Sequence, residues 1–299
     1  MATTLTVAWI WLLLSVSGCA WLNDQQRLII YRPTPSTEAA TATLPAVTTS
    51  FFLNTPQNSG QARLSLWWLP NATPDAPTLL YLHGTFRNLQ GNVHKILALH
   101  EAGFSVLAVD YRGWGQSTPI TPSEQTIMQD ARLAWTELVR REPRPGQRVI
   151  YGHSMGSGVA VDLASHLSSP SDYGGLILES AFTSFADVAV EAGWLARLLS
   201  HFSTERFASI DKIAQVHAPL LMMHGDQDDT IPIKLGERLF AAANPPKYWL
   251  TIAGGHHSDL DEVGRVPYQQ ALHAFMSTYL RQSKVPQVPI SVAPALQAQ

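Results

Sequence analysis

A chain of 299 residues, 45% hydrophobic and 14% charged, can bury a large core and is not composed like a disordered polymer. A net charge of −3, with no Lys/Arg run, offers no electrostatic footprint for nucleic acid. The single cysteine, Cys19, excludes an intrachain disulfide, and no His/Cys cluster has the spacing of metal ligands, so no metal or cofactor is implied.

In chain order, residues 5–16 form an apolar run of signal-peptide length, too short to span a bilayer comfortably. The run ends in Val16-Ser17-Gly18-Cys19, which resembles the lipobox of bacterial lipoproteins, although no Lys or Arg precedes it. The resemblance implies a signal peptide over residues 1–18 and a lipidated Cys19, with enough acyl chain for stable membrane anchoring. A non-Asp residue at Ala20 implies an outer-membrane position facing the periplasm. An ordinary cleaved signal or an uncleaved anchor is the alternative. Residues 19–50, rich in Pro, Thr and Ala from Tyr31 onward, read as a tether or extended edge.

From residue 51 the pattern becomes regular. FFLNT and ARLSLWWLP read as strands, joined by a turn at QNSGQ. Apolar runs LLYLHG, FSVLAVDYRG, RVIYGHSMG, GGLILES, APLLMMHGD and YWLTIAGG then follow, with helical stretches near 91–102, 123–142, 156–167, 234–243 and 266–281. The runs are continuous in Leu, Ile and Val, as strands buried on both faces require. The expectation is an α/β doubly wound, mostly parallel sheet over residues 51–282. Extra helical sequence at 181–216 reads as a small cap, and 283–299 as a disordered tail.

Ser154 stands between Gly152 and Gly156, after a strand and before a helix, which is the context a nucleophile elbow needs. The turn is tight enough that side chains at 152 and 156 would meet neighbouring backbone. The Met155 N–H would face the same space from a helix N-terminus, where it can stabilise an oxyanion. The blander reading makes Ser154 a helix cap. A nucleophilic serine needs a base, and the base needs an orienting acid. HGDQDDTIP offers Asp226, Asp228 and Asp229, and GGHHSD offers His256 and His257.

RLIIYRP, LLYLHGT, VLAVDYRGWGQS, YGHSMG, ILESAFTS, APLLMMHGDQDDTIP and GGHHSDL occur in an order and spacing that resembles the α/β-hydrolase superfamily. Within it, the chain looks like the Bem46-like, ABHD-type serine hydrolases near the serine aminopeptidase S33 group, over residues 27–282. The resemblance implies Ser154 as nucleophile, Asp228 as acid, His257 as base, and the Thr85 and Met155 amides as oxyanion donors. His256 replaces a residue that is usually small in this family. Trp114 is either a pocket residue or a core aromatic. The implied activity is cleavage of a carboxylic ester or thioester of a small-molecule or lipid-like acyl substrate, through an acyl-enzyme. An aminopeptidase is the rival, but the insert's acids, Asp187, Glu191, Glu205 and Asp211, sit in a short cap. A non-catalytic binding lipoprotein is a third reading, whose signature would be a missing triad member.

Overall fold

The computed structural model describes residues 22–36, 44–55, 62–201 and 203–280. The expected signal peptide, Cys19, the QNSGQ turn and the tail at 283–299 lie outside the described residues.

Eight strands form one sheet in the order β1-β2-β4-β3-β5-β6-β7-β8. They are β1 (Thr49–Asn54), β2 (Arg63–Leu69), β3 (Thr78–Leu82), β4 (Ser105–Asp110), β5 (Arg148–His153), β6 (Gly175–Glu179), β7 (Leu220–Gly225) and β8 (Lys247–Ile252). β2 runs antiparallel to both β1 and β4, and every pairing from β4 to β8 is parallel.

Strands β3 to β7 are buried at every position. Alternate side chains feed two cores: Leu80 and Leu82 enter one, Leu79 and Tyr81 the other. This is why the runs are continuous instead of alternating. Helices α3 (Glu124–Arg141), α4 (Met155–Ser165) and α7 (Ile233–Ala242) cover the first face. Helices α2 (Val93–Glu101) and α9 (Arg265–Phe275) cover the second, with the short α8 (Leu260–Val263) beside them. α3 opens with a capping box in which the Ser123 side chain accepts from the Thr126 N–H and the Thr126 hydroxyl accepts from the Ser123 N–H. The fold is a doubly wound α/β sheet, with a cap of α5 (Phe185–Glu191) and α6 (Trp194–Ser200) between β6 and β7.

The segment before β1 differs from the expected tether. Residues 22–31 form a helix, α1. Its last residue, Tyr31, is fully buried, with ring centroids 6.3 Å from Trp114 and 6.2 Å from Phe207. The Tyr31 hydroxyl donates to Glu205, and Arg27 Nε donates to the same carboxylate at 2.8 Å. Burial opposes ionisation of Glu205, yet bonds from Tyr31, the Glu124 N–H and Arg27 outweigh it and hold its carboxyl below the usual range. A buried ring and a shared carboxylate therefore dock α1 on the cap. Past the helix, Gly115 N–H donates to Thr34 O and Ser36 N–H to Gly115 O, which ties the start of the Pro/Thr stretch to the loop after β4.

Candidate active site

The chain leaves β5 at His153, turns once at Ser154 and enters α4 at Met155. Ser154 has φ 55 and ψ −124, a conformation that costs a non-glycine residue on the order of 1–3 kcal/mol. The turn is possible because its neighbours lack side chains. A Cβ on Gly152 would overlap the Gly156 carbonyl, and one on Gly156 would overlap the Leu82 carbonyl. Ser154 stands at the N-cap position of α4, but its hydroxyl makes no capping bond. It lies 2.8 Å from His257 Nε2 instead.

On the other side of the imidazole, His257 Nδ1 is 2.8 Å from Asp228 Oδ2 and 3.1 Å from Oδ1. With the proton on Nδ1, that nitrogen donates to the carboxylate and Nε2 accepts from Ser154 Oγ–H. His256, its neighbour, is exposed, and its N–H donates to Asp259 Oδ1 at 2.7 Å. Of the three candidate acids, Asp228 is buried, while Asp226 and Asp229 are exposed. Asp226 Oδ1 accepts from the Gly254 N–H, as a turn residue does. Burial disfavours the charge on Asp228. The His224 and His257 bonds, the His257 charge and the Ile231 N–H outweigh it and keep the carboxyl well below the usual range.

Three further residues brace this chain of groups, and of them only Ser180 carries no signal in the sequence. His153 Nε2 and Ser180 Oγ donate to the His257 carbonyl oxygen, at 2.9 and 3.2 Å, and so fix the backbone that carries the imidazole. Burial first, then Lys95, lowers the His153 pKa well below its normal value, so it is a neutral donor. His224 Nε2 lies 3.3 Å from Asp228 Oδ2 and 2.9 Å from the Ile231 carbonyl. No local pattern marks Ser180. His153, inside the elbow, and His224, at a strand end, are the structural hydrogen-bonding residues that their places in the sequence suggest.

Thr85 and Met155 border the same cavity as Ser154. At the N-terminus of α4 the Ser157 N–H is taken by the Ser154 carbonyl, while the Met155 N–H makes no backbone bond among the described residues and faces outward from the helix start, where it can meet a ligand oxygen. Of the two readings of Trp114, pocket residue and core aromatic, the structure bears out the core one. It is fully buried, packs edge-on to His83 and Tyr111, and donates Nε1–H to the Thr85 carbonyl at 2.6 Å. It holds the Thr85 loop from beneath. Below lies a buried polar network: Lys95 Nζ bonds Glu179 Oε1 at 2.5 Å and Asp261 Oδ1 at 2.8 Å, and Tyr151 donates to Glu179. The Ser154 N–H donates to the backbone carbonyl of that same Glu179 at 3.0 Å.

Ser154 stands between two spaces. One is a cavity of about 440 Å³, lined mainly by apolar residues of α1, α5 and α6 with Phe86, Phe182 and Ile231. The other is a smaller cleft of about 190 Å³ reached by Arg87, Asn92, Thr230 and His257. Of the insert's acids, Glu205 lines the apolar cavity and is occupied by Tyr31 and Arg27. Asp187 accepts from Thr183 and Ser184, and Glu191 pairs with Lys234 at 2.6 Å.

This sheet, elbow and cap define an α/β-hydrolase. The family model described as serine aminopeptidase, S33, matches residues 73–211. An uncharacterized protein of Mycobacterium tuberculosis is 36% identical over 240 residues, which is 79% of this chain and 82% of that protein. The lysophosphatidylserine lipase ABHD12 of Danio rerio is 31% identical over 205 residues, or 62% of this chain, which spans about half of that relative (52%). In fold, an esterase of Pyrococcus furiosus superposes with a TM-score of 0.66 at 17% identity, over 83% of this chain and 96% of that one. The chain belongs to the α/β-hydrolase superfamily.

Proposed function

We propose that this chain is a serine hydrolase that cleaves carboxylic esters or thioesters of apolar acyl groups. The observation that carries the reading is the His257 ring, bonded to Ser154 on one side and Asp228 on the other, with Ser154 opening on an apolar cavity. His257 Nε2 takes the Ser154 proton as Oγ adds to the acyl carbon. Asp228 holds the other ring nitrogen and stabilises the imidazolium. The carbonyl oxygen, now an oxyanion, accepts from the Met155 and Thr85 amides. The leaving alkoxide or thiolate departs with the proton from His257, and the acyl group remains on Ser154. A water, deprotonated by the same nitrogen, then hydrolyses the acyl-enzyme.

The 440 Å³ cavity suits an acyl chain, and the polar cleft at Arg87 and Asn92 suits a hydrophilic leaving group. The name of the ABHD12 relative, a lysophosphatidylserine lipase, fits that division. The carboxylates of Asp187, Glu191 and Glu205 are already partnered within the protein, which disfavours an aminopeptidase that needs free ones beside the site to hold the substrate amine. The chain would be anchored through a lipid on Cys19 and would work in the cell envelope, on the outer membrane facing the periplasm. The Cys19→Ser variant should lose metabolic labelling by an alkyne fatty acid.

The test of the activity is a panel of p-nitrophenyl esters of rising chain length, with a fluorophosphonate probe. Each methylene that enters the cavity should raise kcat/KM by about fourfold, from roughly 0.8 kcal/mol of burial. Ser154→Ala should abolish both turnover and probe labelling while keeping the fold. Turnover in that variant above a tenth of the parent's would remove Ser154 from the role.

A further inference from the structure

The second cap helix, α6, has the sequence WLARLLS, and none of its residues is buried. An apolar helix in a folded domain normally hides one face. Here Trp194 is 78% exposed, and Leu195, Leu198 and Leu199 are each at least 50% exposed. These four lie at the i, i+1, i+4, i+5 spacing of a single helical face. The face continues onto α1, where Ile29 is 71% and Leu22 61% exposed. Gln26 Nε2 donates to the Leu199 carbonyl at 3.1 Å, which joins the two helices. Leu22, Ile29, Phe86 and Leu199 all line the large cavity, so the bare apolar surface surrounds its mouth.

Two further observations say what covers this surface. The apolar run at residues 5–16 and Cys19 lie immediately ahead of α1 in the chain. Cys19 is three residues before Leu22, a reach of about 10 Å even when fully extended. Any membrane that holds the run or a lipid on Cys19 is therefore next to the cavity mouth. The edge of the patch is also cationic. Arg197 on α6 is exposed, and Arg32 lies 4.7 Å above the Phe86 ring, and neither has an ion-pair partner among the described residues. Cations beside an apolar helical face are the signature of a surface that settles into an anionic bilayer interface.

We propose that the α6–α1 face docks on a lipid bilayer bearing anionic headgroups, so that an acyl lipid passes from the bilayer into the cavity without crossing water. The proposal rests on the cavity as the acyl site of the proposed hydrolase. Trp194, Leu195 and Leu198 dip into the headgroup–acyl boundary. Phe86, Ile29 and Leu199 form the continuous apolar path from there to Ser154.

The test uses the full chain reconstituted in vesicles of three parts phosphatidylcholine to one part phosphatidylglycerol. In a Cys19→Ala background, Leu195→Cys carries a single environment-sensitive fluorophore, and Asp75→Cys carries it at the opposite end of the sheet. Docking predicts a blue shift and quenching by doxyl lipids at position 195 and neither at position 75. Equal quenching at both positions, or none at 195, overturns the proposal. A blue shift at 195 that appears without vesicles and grows with protein concentration also overturns it, because the face then binds a second copy. The second arm is Trp194→Ser/Leu198→Ser, two side chains that do not line the cavity. This pair should lower kcat/KM at least about tenfold on a long-chain ester held in vesicles, and leave a soluble short-chain ester unchanged. Equal loss on both substrates counts against docking. An absence of ester hydrolysis in every protein would refute the hydrolase reading alone, since the quenching reads docking without turnover.

Discussion

Replacing His257 by Ala tests the base directly. The wild-type ring makes one bond to Ser154 Oγ at 2.8 Å and two to Asp228 at 2.8 and 3.1 Å, and Ala removes all three. No other group takes its place, because the His256 side chain is exposed and its backbone N–H is bound to Asp259. Without a base the Ser154 hydroxyl stays protonated, and kcat/KM should fall on the order of 10⁴ to 10⁶, about 5–8 kcal/mol of barrier. Asp228→Asn keeps the volume but leaves the imidazole free to take the wrong tautomer, for a loss on the order of 10⁴. His256→Ala keeps the backbone bond and should cost no more than about twofold, ~0.4 kcal/mol. The assay is initial rate on one activated ester for all four proteins, with thermal melts to confirm folding. A loss in His256→Ala equal to that in His257→Ala, or a tenth of the activity remaining in His257→Ala, would refute the reasoning.

Gly156→Ala should misplace the elbow, because its Cβ would overlap the Leu82 carbonyl of β3. The expected cost is about 1–3 kcal/mol of stability, and an unchanged Tm with full probe labelling would count against so close an approach. Trp114→Phe keeps the ring packing but loses the 2.6 Å bond to the Thr85 carbonyl. It should lower kcat about tenfold with KM nearly unchanged, whereas a rise in KM alone would return Trp114 to the substrate pocket. Burial lowers the His83 pKa from 6.5 to about 4. Between those values the unfolded chain takes up a proton that the folded one refuses, so this group makes stability fall on acidification. Asp110, pushed up by burial to about 7, acts in the opposite sense over the same window, so the parent's profile is flattened. The His83→Gln variant should therefore lose less stability than the parent from pH 6.5 to 4 in parallel melts, and identical slopes would refute the assignment.

The sheet was legible because its physics is local. A strand buried on both faces has to be apolar at every position, and β3 to β7 are. The Gly152 and Gly156 requirement was equally readable, because close backbone approach leaves no other residue type. Three things were not. α1 was hidden because helix formation there depends on Tyr31 finding a cavity between Trp114 and Phe207, far along the chain. Whether Trp114 lines a pocket or fills the core is a matter of tertiary position, and aromatic composition is the same in either case. The exposure of α6 was invisible for a similar reason. The stretch holding WLARLLS reads as a cap helix, and how much of it is covered depends on tertiary packing: nothing in the described chain covers it.

The ammonium of Lys95 draws together chain segments that are far apart in sequence. It comes from α2, and its partners come from the end of β6 and the start of α8, 84 and 166 residues away. All three groups are essentially sealed from solvent. Should any one of these elements peel off alone, it would leave an unpaired charge in the interior, at a cost of several kcal/mol. Partial unfolding here is therefore penalised more than its lost apolar contacts alone would suggest. The amides of α2, β6 and α8 should exchange with deuterium as one unit, near the slowest limit of the molecule. Ser154 hangs from the Glu179 carbonyl, and the His257 loop leads directly into α8, so both are tethered to that unit. The geometry of the site should then persist on heating until the whole domain melts, so that activity and global structure are lost together.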